Sequence, residues 1–375
     1  MNDNKTIRRT LRSVLLMMTA LMTAACNGES APEGKPSQPG SAIAFSIDDG
    51  TTRASHRTAP NTLTLNGSGT NEQSLKTEGF GVFACYTGYY RYVSSTITSN
   101  LMWNQQVTYD NTLSRWAYSP LVYWPATELL DDEAYATFYA YAPYSDATDP
   151  YGSIVDFSHA GETGDPWLTY QLGGTMYADG PNGWKAKQAD LLYDIQKDQQ
   201  RPYPPTASKV TFQFKHALAC VGDQITVTCS DNVQTQLKGL YSSADVTLTL
   251  NTLRLDYTLT AKGRLVLNGS DTPNWKTLDS GDATVHRLLV LNPDQVIATA
   301  TSASVCTLTP YTATNQGLFY IPLEVAGNAQ TLTATADYTL STGTTGQIAT
   351  TISLSTIRQA GEGRNLRLVL DFSNP

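Results

Sequence analysis

A chain of 375 residues with 15% charged side chains, 10% aromatics, 21 Tyr, 27 Gly and 18 Pro is too apolar for disorder. It is also too rich in β-formers and turn residues for a helical fold. The formal net charge is −8 and no cluster of Lys and Arg follows residue 12, which argues against a nucleic-acid partner; the length suits two domains.

Lys5, Arg8, Arg9 and Arg12 form a positive n-region, and Val14 to Ala25 add a short apolar stretch that ends in small residues. Together they predict a secretory signal over residues 1–25, too short to span a bilayer. The signal runs into Thr23-Ala24-Ala25-Cys26, similar to a bacterial lipobox, with Thr where Leu is commoner. Cys26 is therefore the expected lipidation site, carrying diacylglycerol; two or more acyl chains such as palmitate hold a protein stably on a membrane. Residues 26–41 contain no large apolar side chain and are expected to be a flexible tether.

Ile43, Phe45 and Ile47 alternate with Ala44 and Ser46, a first strand that stops at Asp48-Asp49-Gly50. The polar loop that follows holds Arg53 and Arg57, both open to an arginine-specific protease. Gly79 to Tyr86 and Val107 to Tyr109 read as strands. The aromatic block Trp116 to Tyr144 comes next, with each Pro just after an aromatic run, as at strand ends. Within it Tyr135, Thr137, Tyr139 and Tyr141 alternate with Ala136, Phe138 and Ala140. This predicts one large-residue face and one mostly small-residue face. Residues 146–182, rich in Gly, Asp, Pro and Ser, read as a long loop or small insertion with short apolar pieces such as Trp167 to Tyr170. Ala189 to Tyr193 closes the first half, and the Pro-rich run 199–208 is the expected junction.

The expected organisation is an N-terminal β-sandwich over 42–205 and a C-terminal one over 206–375. In the second, Phe212, Phe214, His216, Leu218 and Cys220 share one face. His216 is read there as a core histidine bonded to a backbone carbonyl, not as a general base. Strands follow from Ile225 to Leu354. In the last strand Leu366, Leu368, Leu370 and Phe372 form one apolar face, a donor strand or the closing strand of its own domain. The pattern as a whole is all-β.

The four His residues are scattered without metal-ligand spacing, and Cys85, Cys220, Cys229 and Cys306 lack paired Cys-x-x-Cys spacing. Buried free thiols are expected of them, with one disulfide as the alternative. No nucleophile elbow, phosphate loop or dinucleotide fingerprint occurs. The expectation is a protein that is not an enzyme and needs no metal or cofactor.

Gly79 to Ala84, Tyr123-Trp124-Pro125, Phe138-Tyr-Ala-Tyr-Ala-Pro143, Asp190 to Tyr193, Phe214 to Ala219, Tyr320-Ile-Pro322 and the final strand after Gly361 together resemble the fimbrillin-like lipoproteins of the Bacteroidota. The resemblance implies two tandem transthyretin-like or Ig-like sandwiches and an outer-membrane, surface-exposed lipoprotein of the fimbrium. It implies other pilus subunits as partners through β-strand addition, with residues 42–47 removed after cleavage at Arg53, or less favourably Arg57. The chain ends three residues after Phe372. If the last strand closes its own domain, it has a groove to receive a strand and none to give, as in a tip or accessory subunit. The alternatives are a pilus anchor, or a non-polymerising surface adhesin whose aromatics meet a host or bacterial ligand.

Overall fold

The computed structural model describes residues 41–48, 63–64, 73–125, 134–148, 153–171, 176–178, 184–186, 190–201, 209–240, 246–260, 262–269, 272–277, 282–299, 306–308, 311–312, 315–316, 319–322, 331–353 and 363–370. Up to residue 216 the strands that build the main sheets and the first-strand pairing are β1 (Phe45–Ile47), β2 (Phe80–Gly88), β3 (Met102–Asp110), β4 (Arg115–Ala117), β5 (Tyr135–Ala142), β6 (Ile154–Phe157), β7 (Trp167–Gln171), β8 (Leu192–Gln200), β9 (Val210–Phe212) and β10 (Lys215–His216). A one-turn helix, α1 (Leu75–Glu78), precedes β2.

The aromatic block supplies the middle of the main sheet. Its six strands run in the order β10-β8-β5-β2-β3-β4, antiparallel throughout. From Ala136 on, β5 is buried on both faces. Ala136, Phe138 and Ala140 join one core with Phe80, Val82, Trp124, Phe212 and Phe214. Tyr139 and Tyr141 join another with Phe83, Tyr170 and Tyr193. The expected large and small faces are therefore both core faces, and the small residues leave room for Phe45 and Phe212 to pack against the sheet. At the second face a Cβ on Gly81 would strike the Tyr141 ring, so glycine permits that close approach. The other half of the block is less regular than its sequence suggests. Among the described residues there, only Arg115–Ala117 is a strand, and Tyr123 makes an isolated bridge to Ala42.

Beyond residue 216 come β11 (Leu218–Cys229), α2 (Asp231–Leu240), β12 (Thr247–Thr260), β13 (Lys262–Val266), β14 (Asn274–Thr277), β15 (Asp282–Thr299), β16 (Cys306–Leu308), β17 (Phe319–Pro322), β18 (Thr331–Leu340), β19 (Thr345–Ser353) and β20 (Gly363–Leu370). One sheet has the antiparallel order β15-β12-β18-β19. In another, β11 carries β16 and β17 along one edge and β20, in parallel, along the other. Helix α2 lies where the sequence reads as a connection. Its Val233 and Leu237, four residues apart, are both buried in the core, which is the one-sided spacing of a packed helix.

Two features cross the expected division at residue 205. Strands β9 and β10 lie after it yet pair with β1 and β8. The hairpin β13–β14 extends a sheet whose other members are β7 and β6, in the order β14-β13-β7-β6. The segment expected to be a loop over 146–182 thus contributes two strands, and its Leu168 and Tyr170 enter a core shared with Leu265 and Trp275. Short apolar pieces gain strand structure here because a partner from elsewhere in the chain completes the ladder. The fold is all-β, with face-to-face cores.

Candidate functional site

The first strand occupies a seat built from three separate pieces of chain. On one side its backbone pairs with residues 122–124: the Ile43 N–H donates to Val122 O at 2.9 Å and the Trp124 N–H to Ser41 O at 3.1 Å. On the other side it runs parallel to β9, with Phe45 opposite Val210 and Ile47 opposite Phe212. The Val210 N–H donates to Ala44 O at 2.9 Å and the Asp48 N–H to Phe212 O at 3.0 Å. Ser46 Oγ and Thr211 Oγ1 lie 2.8 Å apart, and Gln213 Nε2 donates to Asp48 Oδ2 at 3.0 Å.

The side chains fill the floor between these edges. Ile43 and Phe45 are 2% and 3% exposed, whereas Ile47 is half-buried. The Phe45 ring meets four others: Phe80 at 6.2 Å, Tyr118 at 5.5 Å, Phe138 at 6.1 Å and Phe212 at 5.7 Å between centroids. Offset and edge contacts of this kind add to the burial term. Tyr118 closes the end of the seat; its hydroxyl lies 2.7 Å from Ile43 O and 3.1 Å from Val122 O. Burial pushes that phenol up to about 12, so it stays a donor at neutral pH.

The seat is also coupled to a buried carboxylate. Asp194 accepts from the Gln213 backbone N–H and from Gln196 Nε2, each at 2.7 Å. Burial raises its pKa, opposed by the hydrogen bonds from Gln213 and Gln196. The backbone bond holds Gln213 while its side chain reaches Asp48 at the end of the strand.

Of the residues singled out from sequence, the structure brings together Ile43, Phe45 and Ile47 on this seat. Leu366, Leu368 and Leu370 lie elsewhere, on β20 opposite Ile225, Val227 and Cys229 of β11. Cys26, Arg53, Arg57 and Phe372 lie outside the described residues, as do the signal over 1–25 and the tether up to residue 40. Cys85 and Cys229 are buried free thiols, pushed up by burial to about 12 and about 11; the side chains of Cys220 and Cys306 lie outside the described residues.

His216 departs from the backbone-carbonyl pairing expected of it. Its Nδ1 lies 2.9 Å from buried Asp190, and its Nε2 is buried without a hydrogen-bond partner. A ring oriented by a carboxylate is common in catalytic dyads, but an Nε2 sealed in apolar surroundings has no reacting group to serve. The pair holds β10 against the chain leading into β8. Sequence reasoning missed Tyr118, Gln213 and Asp194, whose roles arise only when segments far apart in sequence meet. Tyr89, Tyr90, Trp103 and Tyr123 remain 55%, 78%, 43% and 50% exposed.

The chain belongs to the fimbrillin-like family, whose model matches residues 52–362. No curated protein matches it. Among solved structures it is similar to a candidate cell adhesion protein from Bacteroides uniformis (12% identity, TM-score 0.37, covering 89% of this chain and 94% of that one). It is also similar to the fimbrial anchor protein Mfa2 from Porphyromonas gingivalis (12%, 0.36, 88% and 90%) and a candidate cell adhesion protein from Bacteroides eggerthii (11%, 0.38, 92% and 88%).

Proposed function

We propose that this chain is a tip or accessory subunit of a fimbrium that serves adhesion, built as two tandem sandwich domains. In this reading it is exported as an outer-membrane lipoprotein through Cys26 and joins its neighbours by exchange of the first strand. Cleavage after Arg53, or failing that Arg57, frees residues 42–47. A strand from another subunit then takes the seat, restoring the ladder bonds to Val122, Trp124, Val210 and Phe212 and refilling the pockets of Ile43 and Phe45. The observation that carries this reading is the seat itself: a short strand with two deep side chains, held by separate edges and not by a hairpin partner. The last strand supports the receiving role, because β20 already pairs over seven residue positions with β11.

The test is the N-terminus of the protein recovered from the cell surface. A surface form starting at Ala54, in assemblies with other subunits, is the expected result. A lipidated Cys26 retained on a monomer would refute strand exchange and favour a non-polymerising adhesin. The same N-terminus retained at the base of a fimbrium would make the chain an anchor.

A further inference from the structure

The sheet β14-β13-β7-β6 buries Leu168, Tyr170, Leu265 and Trp275 on one face. Its other face carries a row of polar residues that the strand seat does not involve. Across the four strands the register places Asp156 beside Thr169, Thr169 beside Arg264, and Arg264 beside Lys276. Two cations thus stand directly opposite each other on neighbouring strands, an arrangement that is destabilising by itself. Neither forms an ion pair among the described residues.

Arg264 is held in a fixed pose. Its guanidinium carbon lies 3.8 Å from the centre of the Trp167 ring, and its Nε is buried with no hydrogen-bond partner. A stacked guanidinium keeps its edge available for an oxyanion in the ring plane. Among the described residues, the acids around it are committed or distant. Glu162 accepts the Trp167 indole N–H through Oε1 and the His159 backbone N–H through Oε2. Asp156 stands two strands from Arg264, about 10 Å at the usual strand spacing. In a chain of net charge −8, this unpaired couple is a local exception, which suits one anionic group better than a polyanion.

We propose that this row is a binding site for a carboxylate-bearing saccharide of the uronic-acid type. The sugar carboxylate bridges Arg264 and Lys276, relieving their mutual repulsion. The hydroxyls of the adjoining sugar reach Asp156, an acceptor at disaccharide distance. The carboxylate at that end disfavours a second anionic group, which separates this ligand class from heavily sulfated polymers. The site is independent of strand exchange.

The test titrates the full chain with monogalacturonate, a disaccharide of one galacturonate linked to one neutral galactose, neutral digalactose, a polysulfated glycan and a short acidic peptide, read by calorimetry and thermal melting. The galacturonate–galactose disaccharide is expected to bind and raise the melting temperature, with digalactose inert. Arg264→Gln and Lys276→Gln should each weaken binding at least about tenfold, the loss of one charge-assisted bond. Asp156→Asn should weaken the galacturonate–galactose disaccharide while leaving monogalacturonate unchanged. Lys276→Gln should also raise the ligand-free melting temperature. Because Lys276 is exposed, that variant decides the matter even where Arg264→Gln disturbs the Trp167 packing. Equal binding of digalactose, or undiminished affinity in Lys276→Gln, overturns the site. Tighter binding of the polysulfated glycan or the acidic peptide overturns the saccharide assignment.

Discussion

Phe45→Ala isolates the energetic centre of the strand seat. The ring is 3% exposed and meets four aromatic neighbours within 6.2 Å. Truncating such a side chain removes its transfer energy and leaves a cavity, a loss of ~3–5 kcal/mol. The upper part of that range applies, because Phe80 and Phe138 come from strands fixed by their own ladders and cannot close the gap. Ile47→Ala is the matched control. Ile47 sits on the same strand but is half-buried, so its truncation should cost about 1 kcal/mol by the apolar area lost. Urea unfolding followed by tryptophan fluorescence measures both, with unchanged slope confirming that stability alone has moved. The reasoning about the seat is wrong if Phe45→Ala costs less than Ile47→Ala.

Four further outcomes follow from the same geometry. Tyr118→Phe removes a single hydroxyl bond to the first strand and should cost ~1 kcal/mol while leaving the core intact, read by the same unfolding assay. Asp165→Ala should be severe, about 3 kcal/mol, because its carboxylate accepts from Tyr92, Ser94, Tyr139 and Asn268 and the buried Tyr139 hydroxyl would be left unpaired. For Asp194 the folded pKa is raised from 3.8. The stability it contributes is therefore complete below pH 3.8 and lost as pH rises through the higher folded value. Asp194→Asn should flatten that part of the pH–stability profile, and an unchanged slope would refute the burial argument. Cys85 and Cys229, with thiols pushed up to about 12 and about 11, should resist alkylation at pH 8 in the folded protein and react once denatured.

The parts of this fold that were readable in the sequence are those governed by local periodicity. The alternation at Ile43, Phe45 and Ile47 and the run from Tyr135 to Tyr141 both mark real strands. Alternation fixes which side chains share a face but not what lies beyond each face. For that reason β5 read as having one large-residue and one small-residue side, although a core covers both. The segment from Ile154 to Gln171 looked like loop because its pairing partner, Lys262–Val266, lies about a hundred positions away. His216 was recognised as a buried polar residue, yet its partner Asp190 sits 26 positions upstream, beyond any local pattern. The seat shows the same limit: its strand was visible, while the clamp of Tyr118, Val122 and Phe212 was assembled only by folding.

The size of the seat bears on how strand exchange would have to proceed. Ile43 and Phe45 together account for ~5–10 kcal/mol of burial by the usual cost of truncating such side chains. The four backbone bonds to Val122, Trp124, Val210 and Phe212 add ~1 kcal/mol each. Net stability for a folded domain is ~5–15 kcal/mol, so an emptied seat would bring this part of the molecule close to unfolding. It would also leave two bare strand edges, at residues 122–124 and on β9, open to unwanted pairing. Release and refilling therefore have to be coupled, with the incoming strand advancing as the old one leaves. A cleavage between residues 49 and 62 fits that requirement, because it cuts the covalent link without itself emptying the pockets. Limited proteolysis within residues 49–62 should thus leave the fragment bound and the melting temperature nearly unchanged until a competing strand peptide is added. Immediate loss of the fragment on cleavage would mean that the pockets hold it far less tightly than their geometry requires.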